Sequence, residues 1–292
     1  MTTPLRILET PELNEPTLIA AFAGWSDAGG AASAAATYLS ERLHAVRLAD
    51  LDAEEFYDFT QLRPRVRYIK GDYRRIDWPE NAFSYHRSAE RDLIIFTGIE
   101  PHLKWRTYTE SLMDFIRKFD VKLVVSLGAM FVDYPHTRPI RITGTAPDED
   151  MQLRAGLYSR TGRRYEGPTG INGVLNATLR DLDIPAATIW ANVPHYVSAS
   201  PNPPASLALL RSLTAMLSLE VPLGRMVRAA AAFDEQLNEA TAKNAEVSEY
   251  VRTLEERIDA ETLGPQPAAE LPATEKIVQD IEDFLRRRGD DT

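Results

Sequence analysis

The stretch TLIAAFAGWSDAGGAASAAATYLSERL, residues 17–43, decides the fold. Residues 17–23 form a short apolar run of strand length, bounded by Pro16 and Gly24. GWSDAGG (24–30) then opens an Ala-rich segment that reads as a helix, whose small side chains let it lie close on a sheet. A buried strand, a Gly-bearing turn and a closely packed helix begin an α/β layered fold.

The same theme repeats outward from that stretch. Residues 44–51, 92–98, 121–129, 138–146 and 186–193 read as strands, with helices over about 103–119 and 168–182. Continuous apolar strands separated by helices predict a mostly parallel sheet with helices on both faces. Residues 66–87 read as a β-meander or edge insertion. From Met226, apolar or small residues recur at three-to-four spacing through Ala230, Phe233, Leu237, Ala240, Asn244, Val247, Val251, Leu254 and Ile258. This predicts a long heptad-patterned helix over about 224–260, some 50 Å at ~1.5 Å per residue. Residues 264–274 read as a Pro-rich linker and 275–289 as a final amphipathic helix. The expected division is an α/β domain over 1–222 and a C-terminal helical arm and tail over 223–292. Two uses of the heptad stripe stay open: packing onto Leu207, Leu210, Leu213 and Leu217 of its own chain, or a seam between subunits.

Composition removes several function classes. The chain has 292 residues, 33 Lys and Arg against 43 Asp and Glu, a net charge of −10, and no Cys. Disulfides, thiolate nucleophiles and Cys-ligated metal centres are therefore excluded. The negative charge argues against a nucleic-acid partner, because phosphate neutralisation needs clustered Lys and Arg. The opening MTTPLRILETPELNEP has no apolar signal core, and no apolar run approaches the ~20 residues that span a bilayer. No membrane association and a cytoplasmic location are expected. The charge is uneven: residues 225–292 carry 9 basic and 16 acidic residues.

Three of the five histidines follow prolines, at Pro101-His102, Pro135-His136 and Pro194-His195, each after a predicted strand. In a parallel α/β sheet, loops at the carboxyl ends of strands line the ligand crevice. The same loops supply Glu100, Arg106, Asp133 and Arg138, and the first loop supplies Trp25, Ser26 and Asp27. Such a set suits a metal, acid–base chemistry, or an anion held by Arg138 and a helix N-terminus; equally, Pro fixes each chain exit while His caps carbonyls or lines a subunit contact. No local metal motif is present, and neither a metal nor a cofactor is expected. GWSDAGGAAS is neither a dinucleotide fingerprint nor a Walker A loop, and Ser26 has no nucleophile elbow around it. Asp27 is expected to cap the first helix. YEGPTGINGVL (165–175) either receives an anion on free amides or simply turns the chain into a helix capped by Thr169.

In order along the chain, FAGWSDAGGAAS, GIEPHLKW, LGAMFVDYPHTRPIRITGTA, YEGPTGINGVL and WANVPHYVSASPNPPASLALL resemble the bacterial branch of the proteasome assembly chaperone 2 family. The resemblance covers roughly residues 15–260. It implies an α/β domain similar to the nucleoside phosphorylase/hydrolase-like fold, an appended helical region, and homo-oligomers, with trimers among the forms. In eukaryotes, members of the family act in pairs as chaperones for proteasome ring assembly, so a partner of proteasome type is implied. Trp25, Asp27 and Gly30 match the family's first loop, and Glu100, Pro101, His102 and Trp105 its second. Pro135 to Pro139 match the third, Gly167 to Gly170, including Thr169, the fourth, and Pro194-His195-Tyr196 the fifth. None of these is an established catalytic residue by resemblance. This chain's RRRGDDT departs from the hydrophobic, Tyr-containing docking tail of the eukaryotic chaperones.

Two functional readings follow. The first is a non-enzymatic, self-associating assembly or scaffold protein. The second is an enzyme or sensor for a small anionic metabolite, of nucleoside or phosphate type, at the strand ends. The ligand-binding or interface candidates are Trp25, Asp27, Glu100, His102, Arg106, Asp133, His136, Arg138, Thr169 and His195.

Overall fold

The computed structural model of the chain describes residues 4–69, 73–88, 90–158 and 165–263. In chain order the first elements are β1 (Leu5–Ile7), β2 (Thr17–Ala23), a 3-10 turn (Ala28–Gly30), α1 (Ala31–Arg42) and β3 (Val46–Leu51). Then come β4 (Arg65–Ile69), β5 (Tyr73–Asp77), β6 (Asn81–His86), β7 (Leu93–Ile99), α2 (Trp105–Lys118) and β8 (Leu123–Val132). The remainder is β9 (Ile142–Thr145), α3 (Glu149–Arg154), α4 (Ile171–Asp181), β10 (Ala186–Pro194), α5 (Pro203–Leu217), α6 (Gly224–Ala242) and α7 (Ala245–Leu263).

Eight strands form one sheet in the order β1-β3-β6-β7-β2-β8-β10-β9. Its centre, β7-β2-β8-β10, is parallel throughout. The flanks are antiparallel: β1 on β3, β3 on β6, β6 on β7, and β9 on β10. The expected α/β sheet with helices on both faces is therefore present, with antiparallel margins added. Successive strand residues point to opposite faces, so β2 sends Ile19 and Ala21 into one core and Leu18, Ala20 and Phe22 into the other. The first core lies under α1 and α5, the second under α2 and α4. In α1 the contact face is Ala31, Ala32, Ala35 and Ala36, all fully buried. The first two turns thus meet the core with nothing beyond Cβ, and only at the end of the helix do Tyr38 and Leu39 add larger side chains.

The edge insertion divides into two parts. β4 and β5 pair only with each other as a hairpin, whereas β6 enters the main sheet beside β3 and β7. The strand expected over 138–146 shortens to Ile142–Thr145, because Pro139 has no N–H to give a ladder.

The heptad-patterned run is helical but not one helix. It divides at Lys243–Asn244, where the Asn244 Oδ1 accepts the amides of Glu246 (3.0 Å) and Val247 (3.2 Å) and so starts α7 afresh. The polar residue of the seam is thus a helix cap. The seam is satisfied within the chain. Met226 and Ala230 pack with Leu207, Leu210, Leu213 and Leu217, while Leu237, Val247, Val251 and Leu254 close over Tyr196 and Val197. The linker and amphipathic helix expected over 264–289 lie outside the described residues.

Replacing a capping Asn by Ala removes the acceptor for these first-turn amides. Asn244→Ala is expected to cost about 1 kcal/mol, read as a lower urea midpoint with unchanged helical circular dichroism.

Candidate functional site

The parallel centre places the carboxyl ends of β7, β2, β8 and β10 along one rim, and the loops leaving it carry most of the sequence candidates. The first loop is held from two sides. Asp27 Oδ1 accepts the amides of Ala32 (2.6 Å) and Ser33 (3.3 Å), and its Oδ2 accepts the Ser33 hydroxyl at 2.5 Å. Asp27 therefore accepts first-turn amides of α1, as a capping carboxylate does, while Gly30 holds the N-cap position itself. Burial pushes its carboxyl pKa upward, against the hydrogen bonds from Ser33 and Ala32. Gly29 and Gly30 both have φ of +60°, and a Cβ on Gly30 would stand 2.6 Å from the Ser200 Oγ.

Glu100, just past β7, accepts the Trp25 amide on Oε2 at 3.0 Å and the Ile171 amide on Oε1 at 2.8 Å. It thereby ties the first loop to the start of α4. The cap expected from Thr169 is not made. The N-cap is Gly170, and the Thr169 hydroxyl lies 3.4 Å from the Gly170 carbonyl instead. A long-range carboxylate has taken the role that a local hydroxyl fills in an ordinary capped helix.

Beside this clasp lies a cleft of about 1270 Å³, walled by Trp25, Phe131, Tyr165 and Trp190. Trp25 is 65% exposed and Tyr165 70%. Among its described lining residues the single charged side chain is Asp27, already occupied by α1, and there is no Lys or Arg. Ser26 is buried, and its hydroxyl has no hydrogen-bond partner. No base is joined to it, so it is not equipped as a nucleophile. Among the described residues, no group of three or more His, Asp or Glu is placed to hold a metal ion.

The three Pro-His loops do not all meet. His102, after β7, accepts the Asp58 amide on Nδ1 at 3.1 Å and stacks edge-on against Tyr57. Asp58 itself is lowered to about 2, chiefly by hydrogen bonds from Thr60 and Gln61. Arg106 is exposed on α2 and joins neither the cleft lining nor the other two histidines. Strand order explains the separation: β2 stands between β7 and β8, whereas β8 and β10 are neighbours.

His136 and His195, from the loops after β8 and β10, do converge, on Tyr196. The Tyr196 hydroxyl oxygen accepts the His136 amide at 2.7 Å and lies 2.7 Å from His136 Nδ1. His136 Nε2 is 3.2 Å from Asn238 Oδ1 on α6. An amide oxygen only accepts, so this contact assigns the ring proton to Nε2. His195 Nδ1 faces Asp133 at 3.1 Å, and its Nε2 faces the Tyr250 hydroxyl of α7 at 3.3 Å. Burial raises the Tyr250 phenol to about 12, so it stays protonated.

Arg138 is fully engaged as well. Its guanidinium forks onto Asp259 (2.8 and 3.3 Å) and reaches Glu255 at 3.2 Å, while Thr137 also donates to Glu255. Arg257 of α7 returns a bond to the Asp133 carbonyl at 2.5 Å. Asp133, His136, Arg138 and His195 are thus bonded to α6 and α7, although His136 and Arg138 also line a cavity of about 570 Å³ with Arg154 and Arg211. The anionic-ligand reading finds no support in this geometry, since its cation is bound to two carboxylates of the same chain. The partners Asn238, Tyr250, Glu255, Arg257 and Asp259 were not singled out as site residues from the sequence. The available signal was only that they flank the apolar stripe and carry polar groups.

Burial lowers the His136 pKa below its ordinary value, outweighing the opposing effects of Asn238 and Glu255. A His held neutral in the folded chain binds its proton more readily when unfolded, so its contribution is complete above about pH 6.5 and is lost as pH falls below it. Urea midpoints measured across that window are expected to drop towards acid, with a shallower drop in His136→Gln.

The comparisons with known proteins agree with this architecture. The PAC2 family model matches residues 21–241. A PAC2 family protein from Streptomyces avermitilis is 41% identical, with TM-score 0.72, covering 81% of this chain and 99% of that one. A proteasome-assembly chaperone homologue from Mycobacterium tuberculosis is 40% identical, with TM-score 0.71, over 80% of this chain and 99% of its own. The Pyrococcus furiosus protein PbaB, an archaeal proteasome activator, shares the fold at 20% identity and TM-score 0.65, covering 80% of this chain and 97% of its own. The comparison with curated proteins gives no match. With most of its length matched by the family model, the chain belongs to the PAC2 family.

Proposed function

We propose that the chain is a non-enzymatic, self-associating assembly protein of the cytoplasm with a protein partner of proteasome type. The observation that carries this reading is the use of the rim. Where an α/β enzyme keeps free acid, base and anion-binding groups, His136, Arg138 and His195 are joined to α6 and α7. The reading has further support from family membership and from the 40% identical relative described as a proteasome-assembly chaperone homologue. Among the described residues no helix is long and apolar enough to cross a membrane. In this reading residues 1–222 form the α/β body and 223–292 a helical arm. The exposed Trp25, Phe131 and Tyr165 around the cleft offer a contact surface to the partner.

The test is co-expression of the tagged full chain with the proteasome subunits of its own organism, followed by mass measurement of the captured species. Subunits or half-assembled rings are expected on the wild type, and fewer on Arg138→Ala, whose α7 amides should exchange faster with solvent. A chain that runs as a monomer and captures no proteasome subunit, with or without residues 225–292, overturns the proposal.

A further inference from the structure

The β4–β5 hairpin is the one pair of strands in the described sheets with no place in the main sheet. All of β4 is exposed, as are Arg74, Arg75 and Ile76 of β5. A two-stranded ribbon standing alone in water is only marginally stable, so both of its bare faces call for an explanation.

Its register makes the two faces unlike. Val66 stands opposite Ile76 and Tyr68 opposite Arg74, so these four share one face. Val66 is 58% exposed, Tyr68 62% and Ile76 53%, and the Arg74 guanidinium lies over the Tyr68 ring at 5.5 Å. The opposite face carries Arg65 across from Asp77 and Arg67 across from Arg75. Like charges directly opposite are destabilising. Here both Arg67 (2.8 Å) and Arg75 (3.2 Å) reach the same Asp77 carboxylate. Residues 63–69 and 73–78 hold five arginines against that single acidic residue. The chain as a whole carries −10, so with five arginines and one aspartate in this ribbon the rest of the chain sums to −14.

We infer that the β4–β5 hairpin is a docking arm for a second copy of this chain, its arginines meeting acidic groups on the neighbour while Val66, Tyr68 and Ile76 are covered. Charge complementarity selects that occupant: the ribbon is repelled by another ribbon and attracted to the rest of an identical chain. The branched aliphatic side chains of Val66 and Ile76 flank Tyr68 and suit a protein surface, and the net charge of the chain opposes a polyanion. The inference rests on the self-association proposed above and names the surface responsible.

Light scattering and sedimentation of the full chain over a concentration series test it. The wild type is expected to exceed monomer mass at low salt and to lose mass at high salt, where exposed charges are screened. The variant Arg65→Glu/Arg67→Glu/Arg74→Glu/Arg75→Glu is expected to need roughly tenfold or more higher concentration to associate. Val66→Ser/Tyr68→Ser/Ile76→Ser is expected to weaken association while leaving circular dichroism unchanged, which separates lost docking from lost folding. A variant pair that keeps the wild-type mass profile overturns the hairpin assignment and leaves self-association standing. A wild type that is monomeric at every concentration overturns both. Nucleic-acid binding by the wild type that the arginine variant loses, with mass unchanged, also overturns it.

Discussion

Two backbone amides from different crossovers share one carboxylate in this chain. Glu100 leaves the end of β7 and accepts from Trp25, in the loop after β2, and from Ile171, at the start of α4. Each of those segments begins a connection that must cover a different face of the sheet. Hydrogen bonds to a charged acceptor are stronger than neutral ones, so one side chain holds two amides and fixes the β2 exit relative to the start of α4. The cleft beside it, the exit of β2 and the seat of α4 all take their geometry from that clasp. The small residues around it follow: a Cβ on Gly170 would stand 2.9 Å from the Glu100 Oε1 and 2.5 Å from the Ser26 Oγ.

The same rim shows how a fold associated with small-molecule sites is turned to another purpose. At the β8 and β10 exits the polar groups are numerous, but nearly every one has a partner within the chain. His136 and His195 have both ring nitrogens engaged, and Arg138 has two carboxylates. Groups so occupied hold helices in place; they are not available to a substrate. The open part of the rim, by contrast, is aromatic and without a basic residue among its described lining. That distribution suits contact with another macromolecule better than recognition of a phosphate.

Much of the fold was legible because the central strands are buried on both faces. Residues 17–23 and 123–129 are mainly apolar runs, buried throughout but for Ala23, and such runs leave few alternatives to a covered parallel sheet. The margins were less legible for the opposite reason. β1 has three residues, β9 is cut short by Pro139, and β4 has no buried face to impose a period. In the heptad stripe the apolar period was correct. The break at Asn244 depends on a side chain accepting its own downstream amides, which periodicity does not register. The site divides in the same way. That His136 and His195 share a rim followed from strand direction, and Asp27 as a cap followed from local spacing. Arg138 finding Asp259, 121 positions away, follows from no local pattern. Likewise, the place of β2 between β7 and β8, which sets His102 apart, is a matter of strand order that sequence spacing leaves open.

The separate small core of Tyr196, Val197, Leu237, Val247, Tyr250, Val251 and Leu254 has a consequence for how the chain opens. Met226 and Ala230 anchor the first half of α6 in the large core under α5, but the second half and α7 rest on this smaller cluster and a ring of ion pairs. Cooperative units open at a free energy set by the apolar surface they alone bury. The α7 end rests on far less apolar surface than the eight-stranded sheet, and on that ground it is the part expected to open first. Its release would bare Tyr196, His136 and Arg138 together, so the loops after β8 and β10 present one surface when closed and a different, basic and aromatic one when open.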